Sequence, residues 1–511
     1  MRETIVAEAN KNNSAQEKFD EIVAEILSAE MMRAEHGEIE RYLKIEGFEL
    51  LRRMMQEHLD LRAESEPRVE VKNSQGIEMT RARASGRQLE TIFGRVEIDR
   101  LGYSKRGMQQ LYPSDGELNL PPDLYSHGVR RIVAESVSKE SFDEVVAQLQ
   151  SSSGARVAKR QVEEMAQQVA KDFDAFYDSR SNAAVPASAS ILVITTDAKG
   201  VVMRKEDLRE ATRKAAEGRT PKMNKRTSRG EKRNAKRMSQ VASVYTIEPY
   251  LRTPEQIAGQ MHPVRAVETK RPRPQQKRVW ASLEKEPADV ILEAFEEAIK
   301  RDPDKQKHWV AVVDGNETQL ELIKAGAWLK EVNITIVLDI IHVVEYLWKA
   351  SYVFNDKESK AAESWVSDRL LEILRGHSSQ VAAGIRRSAT LRELSIQQRE
   401  PADDCADYLL KYAPYLRYHQ YLAQGFPIAS GVIEGACRYL VKDRMDLTGA
   451  RWRLKGAEAV LKLRSLRASG DFDDYWRFHL QRELQRNHIS KFIDGRLPLQ
   501  DRPSSHLHLV S

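Results

Sequence analysis

The chain has 511 residues, of which 41% are hydrophobic and 31% charged, with a formal net charge of +5. That length implies three or four units, each with enough apolar residues for a core. No apolar run approaches the roughly 20 residues needed to span a bilayer, and the two cysteines, Cys405 and Cys437, supply neither a disulfide framework nor a zinc-finger spacing.

The start, Met1-Arg2-Glu3-Thr4-Ile5-Val6, is too acidic and too short in apolar residues for a secretory signal, so a reducing cytoplasm is the expected compartment. Residues 1–66 carry 16 acidic and 9 basic side chains, which leaves the remainder strongly basic. Residues 14–63 read as helices. Phe19, Ile22, Val23, Ile26 and Leu27 form one stripe at helical spacing; Phe48, Leu50, Leu51, Met54, Met55 and Leu59 form another. Acid-rich amphipathic helices of this kind fit a packing or oligomer interface better than a DNA contact.

Glu90 to Arg100 alternates apolar and polar residues, as an exposed antiparallel strand does. From Ser126 the chain reads as helical. Ser141 to Leu149, a polar break at Ser151 to Gly154, and Val157 to Glu163 then give the helix-turn-helix pattern, which a plain helical hairpin would share. Arg156, Lys159 and Arg160 stand where a recognition helix carries its DNA contacts. These elements make residues 80–181 a candidate DNA-binding region, and residues 182–190 read as a linker.

Residues 190–342 change character. Ile191 to Thr196 is an apolar run ending at Asp197, and Val201-Val202-Met203 follows an expected hairpin turn at Lys199-Gly200. A basic stripe interrupts: residues 204–237 hold 14 Lys or Arg against 5 acids, among them Lys225, Arg226, Arg229, Lys232 and Arg233. Nucleic-acid phosphates would satisfy such a stripe, and so would water around a solvated loop. Strands are expected at Val241–Ile247, at Trp309–Val313 before Asp314, and at Ile334–Leu338 before Asp339, with helices at Val290–Lys300 and Leu320–Lys330. Strands first, then alternating helices and strands, is the order of an RNase H-like α/β fold. Residues 343–425 read as a helical insertion into that core, 426–495 as its C-terminal helices and 496–511 as a tail.

Asp197, Asp314 and Glu434 are the candidate catalytic and metal-binding residues. Hard divalent cations prefer carboxylate oxygens, and a pair about 3.5–4 Å apart assists in-line phosphoryl displacement. Asp197, on a central strand, would bridge both ions, with Asp314 holding one and Glu434 the other. Mg²⁺ is the natural choice, with Mn²⁺ as the alternative. Glu345, 31 residues after Asp314, competes for the third position, as do Asp443 and Asp446. Arg438 and Lys442 follow Glu434 by four and eight residues, so on one α-helix they would share its face and meet the DNA backbone.

Asp197-Ala198-Lys199-Gly200, Asp314-Gly315-Asn316-Glu317, Asp339-Ile340-Ile341-His342 and Gly431-Val432-Ile433-Glu434-Gly435 occur in this order. With them the chain resembles the ISKra-type insertion-sequence transposases of the DDE group, from about Gly94 to Phe478. The resemblance implies an enzyme that binds terminal inverted repeats and performs metal-dependent DNA strand cleavage and transfer. Asp197, Asp314 and Glu434 would be its triad. It further implies double-stranded transposon ends and target DNA as partners, a homodimer or larger assembly, and a prokaryotic cytoplasm near the nucleoid. Asp339-x-x-His342 resembles the C/D-x-x-H signature of transposases with helical insertions, where it shapes the active site; a helix-capping Asp is the plainer reading. Arg451-Trp452 fits phosphate gripping with base stacking, or a core tryptophan. The chain lacks the N-terminal cysteine metal site of some transposases, and its 204–237 insertion is longer than a minimal connection. An RNase H-fold nuclease without strand transfer, or a domesticated DNA-binding protein, are the alternatives.

Overall fold

A computed structural model describes residues 14–180, 190–217, 235–260, 271–447 and 449–498. The expected linker up to residue 189, the basic cluster Lys225, Arg226, Arg229, Lys232 and Arg233, and the tail from residue 499 lie outside them. The chain divides into two compact units, residues 1–178 with 472–511, and residues 179–471.

In the first unit, Ser14 and Glu17 form a capping box that starts helix Ala15–Ile26, and a 29-residue helix, His36–Glu64, follows. Phe19, Val23, Leu27, Leu51 and Met54 remain exposed on these helices. Strands β1 (Arg81–Thr91) and β2 (Gly94–Ser104) pair antiparallel from Arg81↔Ser104 to Thr91↔Gly94. The expected single strand at Glu90–Arg100 is therefore two strands joined by a turn at Ile92-Phe93. Gly94, at φ +122°, supplies a conformation that other residues avoid. Val96 and Ile98 bury against Leu59, Leu89 and Leu120, as the alternation predicts.

Helices His127–Val137, Phe142–Ser152 and Lys159–Ala170 follow, the first two capped by Ser126 and Ser141. Gly154, between the last two, lies against the hairpin turn: its amide donates to Ile92 O at 2.9 Å, and a Cβ there would stand 2.3 Å from Phe93 O. Helix Phe472–Asn487 belongs to this unit rather than to the later core where the sequence pattern assigned it. Its Tyr475 hydroxyl donates to Val169 O, and His479 Nδ1 lies 2.8 Å from Asp172 Oδ2.

The second unit is built on a five-stranded mixed sheet, ordered β5-β4-β3-β6-β7. Strand β4 (Lys236–Ile247) runs antiparallel to both β3 (Ile191–Val202) and β5 (Gln275–Ser282), while β6 (His308–Val313) and β7 (Ile334–Leu338) run parallel to β3. Two expectations change. Lys199-Gly200 is no hairpin turn, because both residues stay in the β3 ladder opposite Ser239 and Met238. Strand β5 was not anticipated; helix Leu454–Ser469 packs on it, with the Glu458 carboxylate accepting from Ser282 Oγ at 2.8 Å and Leu283 N at 2.7 Å. Helices Pro287–Arg301 and Glu317–Leu329 match the expected pair within a few residues. Between Ile340 and Ala423 the secondary structure of the described residues is helical.

Candidate metal centre

Parallel strands in register deliver their carboxyl ends to one level, which is where ligands bind in open α/β sheets. Thr195 of β3 pairs with Val312 of β6, and Val312 with Val337 of β7. Two residues further along each strand stand Asp197, Asp314 and Asp339. The ladder extends to the last of these, since Asp339 N donates to Val313 O at 2.8 Å. The apolar runs that made β3, β6 and β7 readable also make them buried and rigid supports.

Each carboxylate is oriented locally. Asp197 Oδ1 accepts from Ala198 N at 2.6 Å, and its Oδ2 accepts the Cys437 thiol at 3.1 Å. Asp314 Oδ1 accepts from Asn316 N at 2.9 Å. Asp339 is fully buried: one oxygen caps helix Ile340–Phe354 through Ile341 N at 2.9 Å, and the other accepts from Ser430 Oγ. The helix-capping reading of Asp339 thus describes one of its two oxygens. Ser430 opens the short helix Gly431–Ala436, and Ile340 N donates to Ile428 O at 2.9 Å, so β7 and the Glu434 helix are tied together at two points.

Ligand atoms of Asp339, His342 and Glu434 lie within 4.8 Å of one another. The Glu434 carboxyl is pushed above its ordinary value, first by partial burial and then by the charges of Asp339, Glu345 and Asp197, against which His342 works. Among the described residues, no lysine or arginine makes an ion pair with Asp197, Asp314, Asp339 or Glu434. Such a carboxylate group, one member of it fully buried, fits a cation.

A second group of similar composition makes the contrast. Asp172, His479 and Glu483, in the first unit, also lie within 4.8 Å. There Arg486 pairs with both carboxylates, Lys171 reaches Glu483 at 2.5 Å and Arg130 at 3.3 Å. Burial raises both carboxyls, but His479 and the Arg486 cation outweigh it at Asp172, as Lys171 does at Glu483, and both end below the ordinary range. Protein cations already fill this site, and it does not fit a metal.

Sequence reading missed Cys437 and four tyrosines of the insertion. Tyr408 and Tyr412 hydroxyls donate to Asp314 O and Gly315 O at 3.4 and 2.6 Å; Tyr418 and Tyr421 donate to Leu338 O and Ile336 O at 2.8 and 3.3 Å. They fasten the insertion to the strand ends that carry Asp314 and Asp339. Their near-helical spacing was the available signal.

The expected DNA contacts are scattered. Arg156 is exposed, and its amide donates to Glu90 Oε1 at 2.9 Å. Lys159 pairs with Asp143 at 2.6 Å and Arg160 with Glu164 at 2.9 Å. Arg438 and Lys442 are exposed, but Cys437–Lys442 is a π-helical turn, so the α-helical argument for a face shared with Glu434 does not apply. Arg451 is exposed. Trp452 occupies the core of its two readings: it is buried, its indole N–H donates to Met445 O at 3.1 Å, and Arg444 covers its ring at 4.8 Å.

The second unit is therefore a mixed α/β sheet with carboxylates at one level of its three parallel strands, in mid-strand on β3 and just past the ends of β6 and β7. No family model and no curated protein matches the chain. Among solved structures it is similar to one described as the Drosophila P element transposase strand transfer complex, at 12% identity and a TM-score of 0.25, over 73% of this chain and 83% of that one. Among the described residues, no helix is long and apolar enough to cross a membrane.

Proposed function

We propose that the second unit is an RNase H-like polynucleotidyl transferase core and that the protein is a DDE transposase acting on double-stranded DNA. The observation that carries this reading is the alignment of Asp197, in the middle of β3, with Asp314 and Asp339, which directly follow β6 and β7, with Glu434 brought beside Asp339 and no lysine or arginine counter-ion to any of them among the described residues. Strand order β5-β4-β3-β6-β7 supports it, because it is the RNase H-like order with the first strand central. Asp197 and Asp314 would hold divalent cations together with Glu434, beside which Asp339, held by Ser430, places its own carboxylate. Such cations, when bound, supply activation of the attacking hydroxyl and stabilisation of the leaving oxygen. The helices Phe142–Ser152 and Lys159–Ala170 would serve as a helix-turn-helix that recognises terminal inverted repeats, and synapsis of two ends would require at least a dimer.

The test is cleavage of labelled duplexes carrying the sequences that flank the gene, with Mg²⁺ or Mn²⁺. Asp197→Asn, Asp314→Asn and Glu434→Gln should each lower cleavage by at least about 10³-fold while leaving DNA binding within about twofold. Glu345→Gln should keep cleavage measurable. Nicking without joining would reduce the reading to a nuclease, and binding without metal-dependent cleavage would overturn it in favour of a DNA-binding protein.

A further inference from the structure

We infer that His342 is a metal ligand, so that the centre has two chemically different halves: an all-oxygen half at Asp197 and Asp314, and a nitrogen-bearing half at Asp339, His342 and Glu434 selective for first-row transition cations over Mg²⁺. The inference rests on the metal-centre reading above and adds its cation preference. Three observations carry it. Ligand atoms of Asp339, His342 and Glu434 converge within 4.8 Å, and neither Asp197 nor Asp314 belongs to that group. His342 sits in the first turn of helix Ile340–Phe354, whose start is fixed by the buried Asp339, so its backbone position is set by the same residue it would join at the metal. Glu345, one turn further on, places a carboxylate oxygen 3.6 Å from His342 Nδ1.

At 3.6 Å this is a close approach short of a hydrogen bond, and closing it on metal binding would orient the imidazole. Metal-bound histidines characteristically direct their second ring nitrogen toward a carboxylate, which fixes the tautomer and strengthens the ligand. With Nδ1–H donating to Glu345 in the loaded centre, the Nε2 lone pair would be the one that takes the cation. Glu345 then acts as a positioning residue, and its spacing from Asp314 needs no direct metal contact to explain it. Imidazole favours Mn²⁺ and later first-row ions, whereas Mg²⁺ prefers oxygen throughout. The neutralised group at Asp172, His479 and Glu483 offers no rival nitrogen site, because its cations are arginine and lysine.

The experiment uses the full chain with Mn²⁺ alone as the probe, followed by electron paramagnetic resonance. Bound Mn²⁺ should show ¹⁴N modulation from a coordinated imidazole and should resist displacement by a 100-fold excess of Mg²⁺. His342→Ala and His342→Gln should abolish the modulation and weaken Mn²⁺ binding by about 10- to 100-fold, and Glu345→Gln should weaken it several-fold with the modulation retained. Circular dichroism of each variant separates ligand loss from misfolding. If Asp339→Asn and Glu434→Gln lose Mn²⁺ while His342→Ala binds it normally without ¹⁴N modulation in the wild type, the histidine inference falls and the carboxylate centre stands. If the wild-type chain binds no Mn²⁺ at all, the metal-centre reading falls with it.

Discussion

Cys437 shows how one uncharged side chain can set the geometry of a charged one. Its thiol is buried, and burial, followed by the Asp197 charge, pushes its pKa up, so at neutral pH it is a protonated donor and not a thiolate. Donation to Asp197 Oδ2 fixes one oxygen of the central carboxylate while Ala198 N fixes the other. Cys437→Ser keeps a donor in the same place and should retain cleavage within about threefold, whereas Cys437→Ala should lower it about 10-fold, the usual scale for a group that orients a metal-binding residue. Equal rates for the two variants would show that Asp197 holds its position without the thiol.

At the level of elements, the decisive joints are made by residues far apart in sequence. Helix Phe472–Asn487 is held to the rest of the first unit by Glu483, which meets Arg130 and Lys171 and also pairs with Arg486 of its own helix. Arg130 is among the largest fully buried side chains and also pairs with the half-exposed Asp123 at 2.6 Å, so Glu483→Ala would leave its charge with that partner alone and should destabilise the unit by about 3 kcal/mol. Urea denaturation checks this: the midpoint should fall with an unchanged slope, and a shift worth less than about 0.5 kcal/mol would mean that Asp123 alone satisfies Arg130. Such joints explain what the sequence pattern could and could not reveal. Strands β3, β6 and β7 were legible because parallel strands buried on both faces are continuous apolar runs, and the aspartates that close those runs were legible with them, although β3 itself continues past Asp197 to Val202. Strand β1 was not, because Arg81-Ala82-Arg83-Ala84-Ser85-Gly86-Arg87-Gln88 is largely exposed and shows no apolar alternation. Lys199-Gly200 carried a turn signal that tertiary pairing overrode. Ser430 against Asp339 and His479 against Asp172, separated by 91 and 307 residues, are joined only by the fold.

For the molecule as a whole, two compact units imply that unfolding need not be a single transition, and histidine burial predicts how acid will separate its stages. His127, in the first unit, is held down to about 4, chiefly by burial and then by the Arg130 charge; His488, in the same unit, is also lowered, by burial. For a base whose folded pKa is depressed, the unfolded chain takes up its proton first. The native state therefore loses stability as pH falls below the unfolded value of about 6.5, and for His127 the loss levels off near its folded value of about 4. For His127 the full span corresponds to about 3 kcal/mol. Between pH 7.5 and pH 5, above the range near about 4 where ordinary carboxylates titrate, those groups contribute little. Stepwise denaturation at pH 7.5 and pH 5 should then show the first unit's transition moving to lower denaturant. His127→Phe, which fills the same space without a titrating group, should remove most of that movement and raise stability at pH 5 relative to wild type. Hydrogen exchange at Val129, Val133 and Val137, on the helix that His127 begins, reports the first unit specifically. If their protection is unchanged between the two pH values in the wild type, His127 does not titrate as its burial requires.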